Sequence, residues 1–399
     1  MNPNALVIGI DASNLRQGGG RTHLRELLRA ADPLSHGISR VVVWGAEDTL
    51  ADLPAQAWLE TIAVPALRLG PVRRLWWQWR VLGREVRAAG CDLLFAPGGT
   101  VSARFTPVVT MSRNMLPFDW TELRRYGLSR VGLRLLLLRF AQSRSLSRST
   151  GVIFLSDYAR REVQAVTGVV RRSTTIPHGV SRRLLDSPRV QRPARLGVDG
   201  DACRVIYVSI VDVYKHQWHV VEALASLRNE GYDVRLDLVG PKYGPAWTRC
   251  SAAIRRHDPR ADWIQYHGDV PHDDLGALYS RSDLAVFASS CENMPNILLE
   301  KMASALPIAC SNRGPMPDVL GDDTVLFDPE NPADLVRVLR GFLESPEMRN
   351  GKSVANRTRA AEFTWDLCAS LTLEFLRRCA LSGHPSIPVP RFPAGPTQI

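Results

Sequence analysis

Residues 292–300 read ENMPNILLE, two glutamates with seven residues between them. Pro295 suits the first turn of a helix, where its missing donor costs little, and ILLEKMASA continues as a good helix former. Glu292 then falls in the loop at the helix N-terminus, and Glu300 lies about five residues further along. At about 1.5 Å per helical residue plus the loop, the carboxylates stand on the order of 10 Å apart. That is too far to share a proton and suits two ends of an extended polar ligand such as a nucleotide sugar. Each carboxylate can accept hydrogen bonds from sugar hydroxyls, and the free amides around Asn293, Met294 and Asn296 face the same ligand at a positive helix end. Spacing alone leaves a second reading open, in which Glu292 is a first-turn acid favoured by the helix dipole and Glu300 a surface residue.

Gly18, Gly19 and Gly20 follow a first strand, ALVIGI, and precede an amphipathic helix. Without side chains, Gly19 and Gly20 let backbone amides approach a phosphate or sugar, although a merely flexible loop fits as well. The run is neither G-x-G-x-x-G nor a P-loop, which argues against a dinucleotide-dependent dehydrogenase. His216 and His219 have i, i+3 spacing without an evident third ligand, and the adjacent acids of HDDL and GDDT read as surface turns. With no D-x-D stretch to clamp a diphosphate through a cation, no metal and no other cofactor is expected.

Those residues need elements to hold them. The 399 residues are 45% hydrophobic and 23% charged, globular in composition and too long for one compact core. Short apolar runs alternate with helix-period stretches, the pattern of parallel strands joined by crossover helices. LVIGI, VVVW, DLLFA, PVVTM, GVIFL and STTIP are strand candidates in the first half; RVIYVS, VRLDLVG, WIQYHG, DLAVFA, PIAC and TVLF are those of the second. Six each suffice for two doubly wound sheets. The expected organisation is an N-terminal acceptor-binding domain over 1–178, a Pro- and Arg-rich linker over 179–204 and a donor-binding domain over 205–362. A helix over 363–383 then crosses back, and a Pro-rich tail covers 384–399. Seven scattered cysteines show no C-x-x-C pair and read as reduced core or surface thiols. The N-terminus has no basic n-region and no stretch of about 18 apolar residues occurs, so neither a signal peptide nor a membrane span is expected.

The stretch HGDVPHDDLGALYSRSDLAVFASSCENMPNILLEKMASALPIACSNRGPMPDVLGDDTVLFDPENPADL resembles, almost end to end, the donor half of family 4 (group 1) retaining glycosyltransferases of the bacterial surface-polysaccharide type. The similarity extends to YVSIVDVYKHQ, TIPHGV, CDLLFAPGGT and the glycine loop, and so covers most of residues 5–380. It implies the GT-B fold, an α/β architecture with two Rossmann-like doubly wound domains facing across a cleft. By the same resemblance Glu292 contacts the transferred sugar, Glu300 the ribose hydroxyls, and Lys215 the departing diphosphate, while Gly240, His267 and Gly268 begin the nucleotide-binding loops. The implied reaction is a retaining transfer in which the leaving phosphate takes the acceptor proton. Two departures stand out. The Arg usually found five residues before the lysine is Ile210 here, leaving the leaving group to Lys215, helix amides or another cation such as Arg313. The loop that often carries a histidine near the reacting sugar reads SRNMLPFD, where Ser112 or Asn114 takes its place; Asn114 either touches donor or acceptor or simply forms the turn.

The chain carries 46 Arg and four Lys in a net charge of +10, which suits an anionic partner. PVRRLWWQWRVLGREVRAAG and ELRRYGLSRVGLRLLLLRFAQSRSLSRS set Arg among Trp, Leu and Phe at helical spacing. Such helices lie on anionic bilayers, or else their leucines face the domain core. Membrane contact suits an enzyme extending a lipid-linked saccharide from the cytoplasm, peripheral on the inner membrane. The expected function is transfer of a hexose-type sugar from a GDP- or UDP-sugar to a saccharide acceptor, in cell-surface polysaccharide or lipopolysaccharide assembly. A GT-B nucleotide-sugar epimerase and a basic nucleic-acid-binding protein are the competitors. The family pattern and basic helices speak against the first, and no nucleic-acid module is present to support the second.

Overall fold

A computed structural model describes residues 5–15, 18–170, 172–186, 191–192, 196–198, 202–321 and 323–382; the Pro-rich 384–399 stretch and part of 179–204 lie outside them. The first sheet is built from β1 (Leu6–Asp11), β2 (Ile38–Gly45), β3 (Leu59–Ala63), β4 (Leu93–Ala96), β5 (Val108–Met111), β6 (Gly151–Phe154) and β7 (Ser173–Thr175). The second uses β8 (Cys203–Val208), β9 (Val234–Val239), β10 (Ile264–Gly268), β11 (Leu284–Phe287), β12 (Ile308–Ser311) and β13 (Leu326–Phe327). Their orders are β3-β2-β1-β4-β5-β6-β7 and β10-β9-β8-β11-β12-β13, with every pairing parallel.

Continuous apolar runs such as LLFA and LAVF are buried along their whole length because crossover helices cover both faces of each sheet. The first sheet has a seventh strand, β3, which the apolar-run criterion misses. It lies at the sheet edge, and Glu60 and Thr61 leave it half exposed. All seven cysteines are buried and free, which selects the core alternative of the two placements expected for them.

Both sheets change direction at a strand pair, β1/β4 in the first and β8/β11 in the second. The crevice beyond the carboxyl ends of such a pair is where open α/β sheets bind ligands. The two crevices face one another. The Trp365–Leu381 helix, capped by the Thr364 hydroxyl accepting from the Leu367 amide, packs on the Gly19–Ala30 helix of the first sheet. A backbone bond from Val180 N to Phe363 O, 2.9 Å, fastens its approach.

Candidate functional site

The Asn296–Ala303 helix follows β11, with Pro295 as its N-cap and the Pro295 carbonyl accepting from Leu298 at 3.0 Å. The sequence therefore places the helix start within one residue. Glu292, in the loop before it, accepts from the ammonium of Lys215, and only 8% of the lysine side chain and 17% of the glutamate side chain remain exposed. Lys215 reaches this position from a short 3-10 turn, Val213–Lys215, capped by the Asp212 carboxylate. Its ammonium stands 4.7 Å from the Tyr214 ring centroid, and its carbonyl accepts from Tyr207 Oη at 2.5 Å. His216 closes the turn in a left-handed conformation, φ 52°, with Nε2 2.9 Å from Ser290 Oγ. Burial, and then the Arg125 charge, push the His216 imidazole down to about 3, so it is neutral. His219 Nδ1 lies 2.9 Å from the Pro329 carbonyl, so both histidines support the loop.

Lys215 and Glu292 line a cavity of about 540 Å³ between the two sheets, which opens on both changes of strand direction. Asn14 and Gly98 come from the loops after β1 and β4, Gly19 and Gly20 from the first turn of the Gly19–Ala30 helix rather than from a loop ahead of it, and Arg113 and Asn114 from the loop after β5. Val208, Ser209, Phe287, Met294 and Asn296 complete the opposite wall. Asn114 has both of the functions considered for it: it lines the cavity, and its Oδ1 accepts from Leu116 N at 3.1 Å to form the turn.

Glu300 lies in a second cavity of about 490 Å³, lined also by Thr22, Arg25, His272 and Tyr279. Asn296 lines both cavities, so the helix and its leading loop place one glutamate in each of two adjoining cavities. The Glu300 carboxylate is buried and accepts from His272 Nε2 at 2.8 Å and Tyr279 Oη at 3.2 Å. The hydrogen bond to Glu300 holds the His272 imidazole above its ordinary value.

Other anticipated residues make hydrogen bonds within the protein. Asn293 Nδ2 donates to the Ser112 carbonyl at 3.2 Å, and the Asn293 carbonyl accepts from Ser156 Oγ at 2.7 Å, bolting the Glu292 loop to the first sheet. Tyr126 Oη adds a bond to Asp212 at 3.0 Å. His267 Nε2 lies 2.6 Å from the Asp237 carboxylate. Gly240 N donates to Gly268 O at 2.7 Å. At Gly240, φ 134°, a Cβ would fall 2.1 Å from the Ser209 carbonyl. Neither of these glycines, nor His267, belongs to the lining of the two cavities. Arg313 is not a spare cation: its Nη2 donates to both Asp328 oxygens at 3.1 Å, away from the cavity wall. Among the described residues no cluster of three or more His, Cys, Asp or Glu is arranged to hold a metal ion.

The family models divide the chain much as the sheets do. Residues 17–184 match Glycosyltransferase Family 4 and residues 191–359 match Glycosyl transferases group 1. O-antigen chain mannosyltransferase B from Escherichia coli is 30% identical over 29% of this chain, a match that spans 30% of that relative. Among solved structures, sucrose-phosphate synthase from Thermosynechococcus elongatus superposes with a TM-score of 0.75 at 18% identity, over 95% of this chain and 100% of the other. Anabaena HepE in complex with UDP-glucose superposes with a TM-score of 0.66 at 16% identity, again over 95% and 100%.

Proposed function

Because the chain belongs to the family 4, group 1 glycosyltransferases of the GT-B fold, we propose that it transfers a hexose from a nucleoside diphosphate sugar to a saccharide acceptor with retention of configuration. The observation that carries this reading is the helix that sets Glu292 beside Lys215 in one cavity and Glu300 in the next. In that arrangement the transferred sugar lies against Glu292, the diphosphate against Lys215 and the glycine run, and the ribose against Glu300.

The bond between the anomeric carbon and the diphosphate oxygen breaks as the acceptor oxygen bonds to the same face of that carbon. The acceptor proton passes to the departing phosphate oxygen, so the products are the glycosylated acceptor and a nucleoside diphosphate. Negative charge grows on the diphosphate as its bond breaks, and a buried ammonium stabilises that charge more than it stabilises the ground state. Among the described residues lining the cavity there is no second carboxylate to face Glu292 across the bond, as a double displacement requires. UDP-glucose in the structurally similar HepE complex and mannosyl transfer by the Escherichia coli relative support a nucleotide-sugar donor.

The acceptor we propose is lipid-linked, presented at an anionic bilayer. Val72, Leu75 and Trp76 of the Pro71–Trp77 helix and Leu137 and Phe140 of the Arg130–Arg148 helix are exposed, so these side chains do not face the core. Leu75, Trp79, Phe140, Arg144 and Arg148 border one groove, which puts the two Arg- and aromatic-rich segments on a common face. No helix among the described residues is long and apolar enough to cross a membrane.

Calorimetric titration of the protein with UDP, GDP, ADP and TDP, without added metal, tests the donor site. Selective binding of one of them is expected; binding of none would refute the reading. Sedimentation with phosphatidylglycerol vesicles, but not phosphatidylcholine vesicles, tests the membrane face, and W76D/F140D should abolish it while leaving the melting temperature unchanged.

A further inference from the structure

The cavity holds one charge that the donor-site residues leave unanswered. Arg113 follows β5, between Ser112 and Asn114, and lines the wall opposite Lys215. The residue as a whole is half-buried, but its Nη1 is sealed from solvent and has no hydrogen-bond partner. Burial pushes the guanidinium down to about 10, and no carboxylate acts in the other direction. It is therefore still a cation at neutral pH.

Its surroundings are built closely around it. A Cβ on Gly20 would come within 3.0 Å of Arg113 Nη1, and one on Gly19 within 3.9 Å of Nη2 and 4.0 Å of Asn296 Nδ2. The guanidinium thus lies between the glycine run of the first sheet and the helix start of the second. The nearby imidazoles of His23 and His178 cannot offset its charge. Both are fully buried and held well below their ordinary values, first by burial and further by the Arg113 charge, so they stay neutral. Of the charged side chains among the described residues lining the cavity, Lys215 and Glu292 satisfy one another and Arg113 is left over. A buried cation without a counter-charge destabilises the protein that carries it, unless a ligand supplies the anion.

On the other wall, position 210 has no cation to offer. Ile210 is apolar and 38% exposed, and it serves the fold through its carbonyl, which accepts from Gln217 Nε2 at 2.9 Å. With Arg313 committed to Asp328, the cavity draws its second positive charge from the first sheet.

We propose that Arg113 is a phosphate ligand: it holds the diphosphate of the nucleoside diphosphate sugar from the N-terminal side of the cleft, opposite Lys215. This rests on the donor-site reading above. A planar guanidinium can hold two phosphate oxygens at once, which the compact ammonium of Lys215 cannot. A diphosphate gripped by Arg113 and Lys215 joins the two sheets, so donor binding and the seating of one sheet against the other become one event.

The test compares wild type, R113M and R113K by calorimetric titration with UDP, GDP, ADP and TDP and by thermal melting with and without inorganic pyrophosphate. R113M should lose about 10- to 100-fold in affinity for whichever diphosphate the wild type selects, and lose the stabilisation by pyrophosphate. R113K, which keeps the charge but not the fork, should recover part of both. Free R113M should melt no lower than wild type, because it loses an unpaired buried charge and keeps much of the volume. Affinity within about twofold of wild type would overturn the assignment of Arg113 alone. So would a lowered melting point of the free variant combined with no rescue by R113K, which would mark a structural role. Failure of the wild type to bind any of the four diphosphates would instead overturn the donor-site reading on which the assignment rests.

Discussion

Replacing Glu292 by Gln should separate donor binding from sugar transfer. In the free protein the Lys215 ammonium is satisfied by the Glu292 carboxylate, and Arg113 leaves one positive charge in excess among the described cavity-lining side chains. E292Q leaves two. Opposite charges about 4 Å apart attract by about 4 kcal/mol at the effective dielectric of partly buried sites. Truncating one partner of a buried pair costs about 3–5 kcal/mol, but Gln keeps an oxygen acceptor for Lys215 Nζ, so the free variant should lose about 1–3 kcal/mol of stability. A bound diphosphate no longer competes with the carboxylate for the ammonium. Even about 1 kcal/mol of recovered attraction tightens nucleoside diphosphate binding about fivefold. Transfer should fall about 100- to 1000-fold, because the group that orders the reacting sugar has lost its charge. Calorimetry with the selected diphosphate and steady-state transfer to a saccharide acceptor measure the two effects separately. Weaker diphosphate binding by E292Q, or transfer at the wild-type rate, would refute the placement of Glu292 between ammonium and sugar.

Glu300→Ala should weaken binding of the selected nucleoside diphosphate by about 1–3 kcal/mol, and unfolding free energy by a similar amount, because the fully buried Tyr279 hydroxyl loses its acceptor. Calorimetry and urea denaturation check the two, and unchanged affinity would remove Glu300 from the site. Stability should fall steeply with acid. His23, His178 and His216 have folded-state values below the unfolded 6.5, so the unfolded chain binds more protons and their stabilisation, present above about pH 6.5, is lost as pH falls. Each contributes a slope of up to about 1.4 kcal/mol per pH unit, about 4 for the three. His272, whose value is raised, acts in the opposite sense: its contribution is complete below about pH 6.5 and fades as pH rises through its folded value. Urea denaturation at pH 7, 6 and 5 measures the slope; a flat profile would show that these three imidazoles are not held neutral, and H216Q should reduce the slope by about one proton's worth.

How much of this was legible in the sequence depended on whether a residue's role is local. Buried parallel strands announce themselves as apolar runs, and Pro295 marks a helix start to within one residue because its constraint acts on its own backbone. The edge strand β3, LETIA, carries Glu60 where a run would need an apolar residue, so only its pairing with β2 identifies it. The Glu292 and Glu300 spacing was readable because both lie on one helix and its leading loop. Asn293 has the same local setting, yet its amide turns away to Ser112, a partner 181 residues distant that no local pattern reveals.

Arg113 is the extreme case. It is one of 46 arginines, flanked by the two residues that a search for a polar side chain near the sugar selects, Ser112 and Asn114. Nothing in SRNMLPFD distinguishes a buried unpaired guanidinium from a solvated one; the distinction comes from Gly20, which admits it, and from the absence of any carboxylate pulling on it. The same dependence on distant elements bears on mechanism. When both phosphate-binding cations sit on one sheet, a nucleotide can bind with the cleft in any posture. With one on each sheet, the diphosphate is fully coordinated only when the Asn293, Ser156 and Tyr126 bonds already hold the sheets in register. Loosening those bonds should therefore weaken nucleoside diphosphate binding through Arg113 without touching the ligand, and S156A combined with Y126F should cost wild type more affinity than it costs R113M. Equal losses in the two backgrounds would mean that the register of the sheets and the grip on the diphosphate are independent.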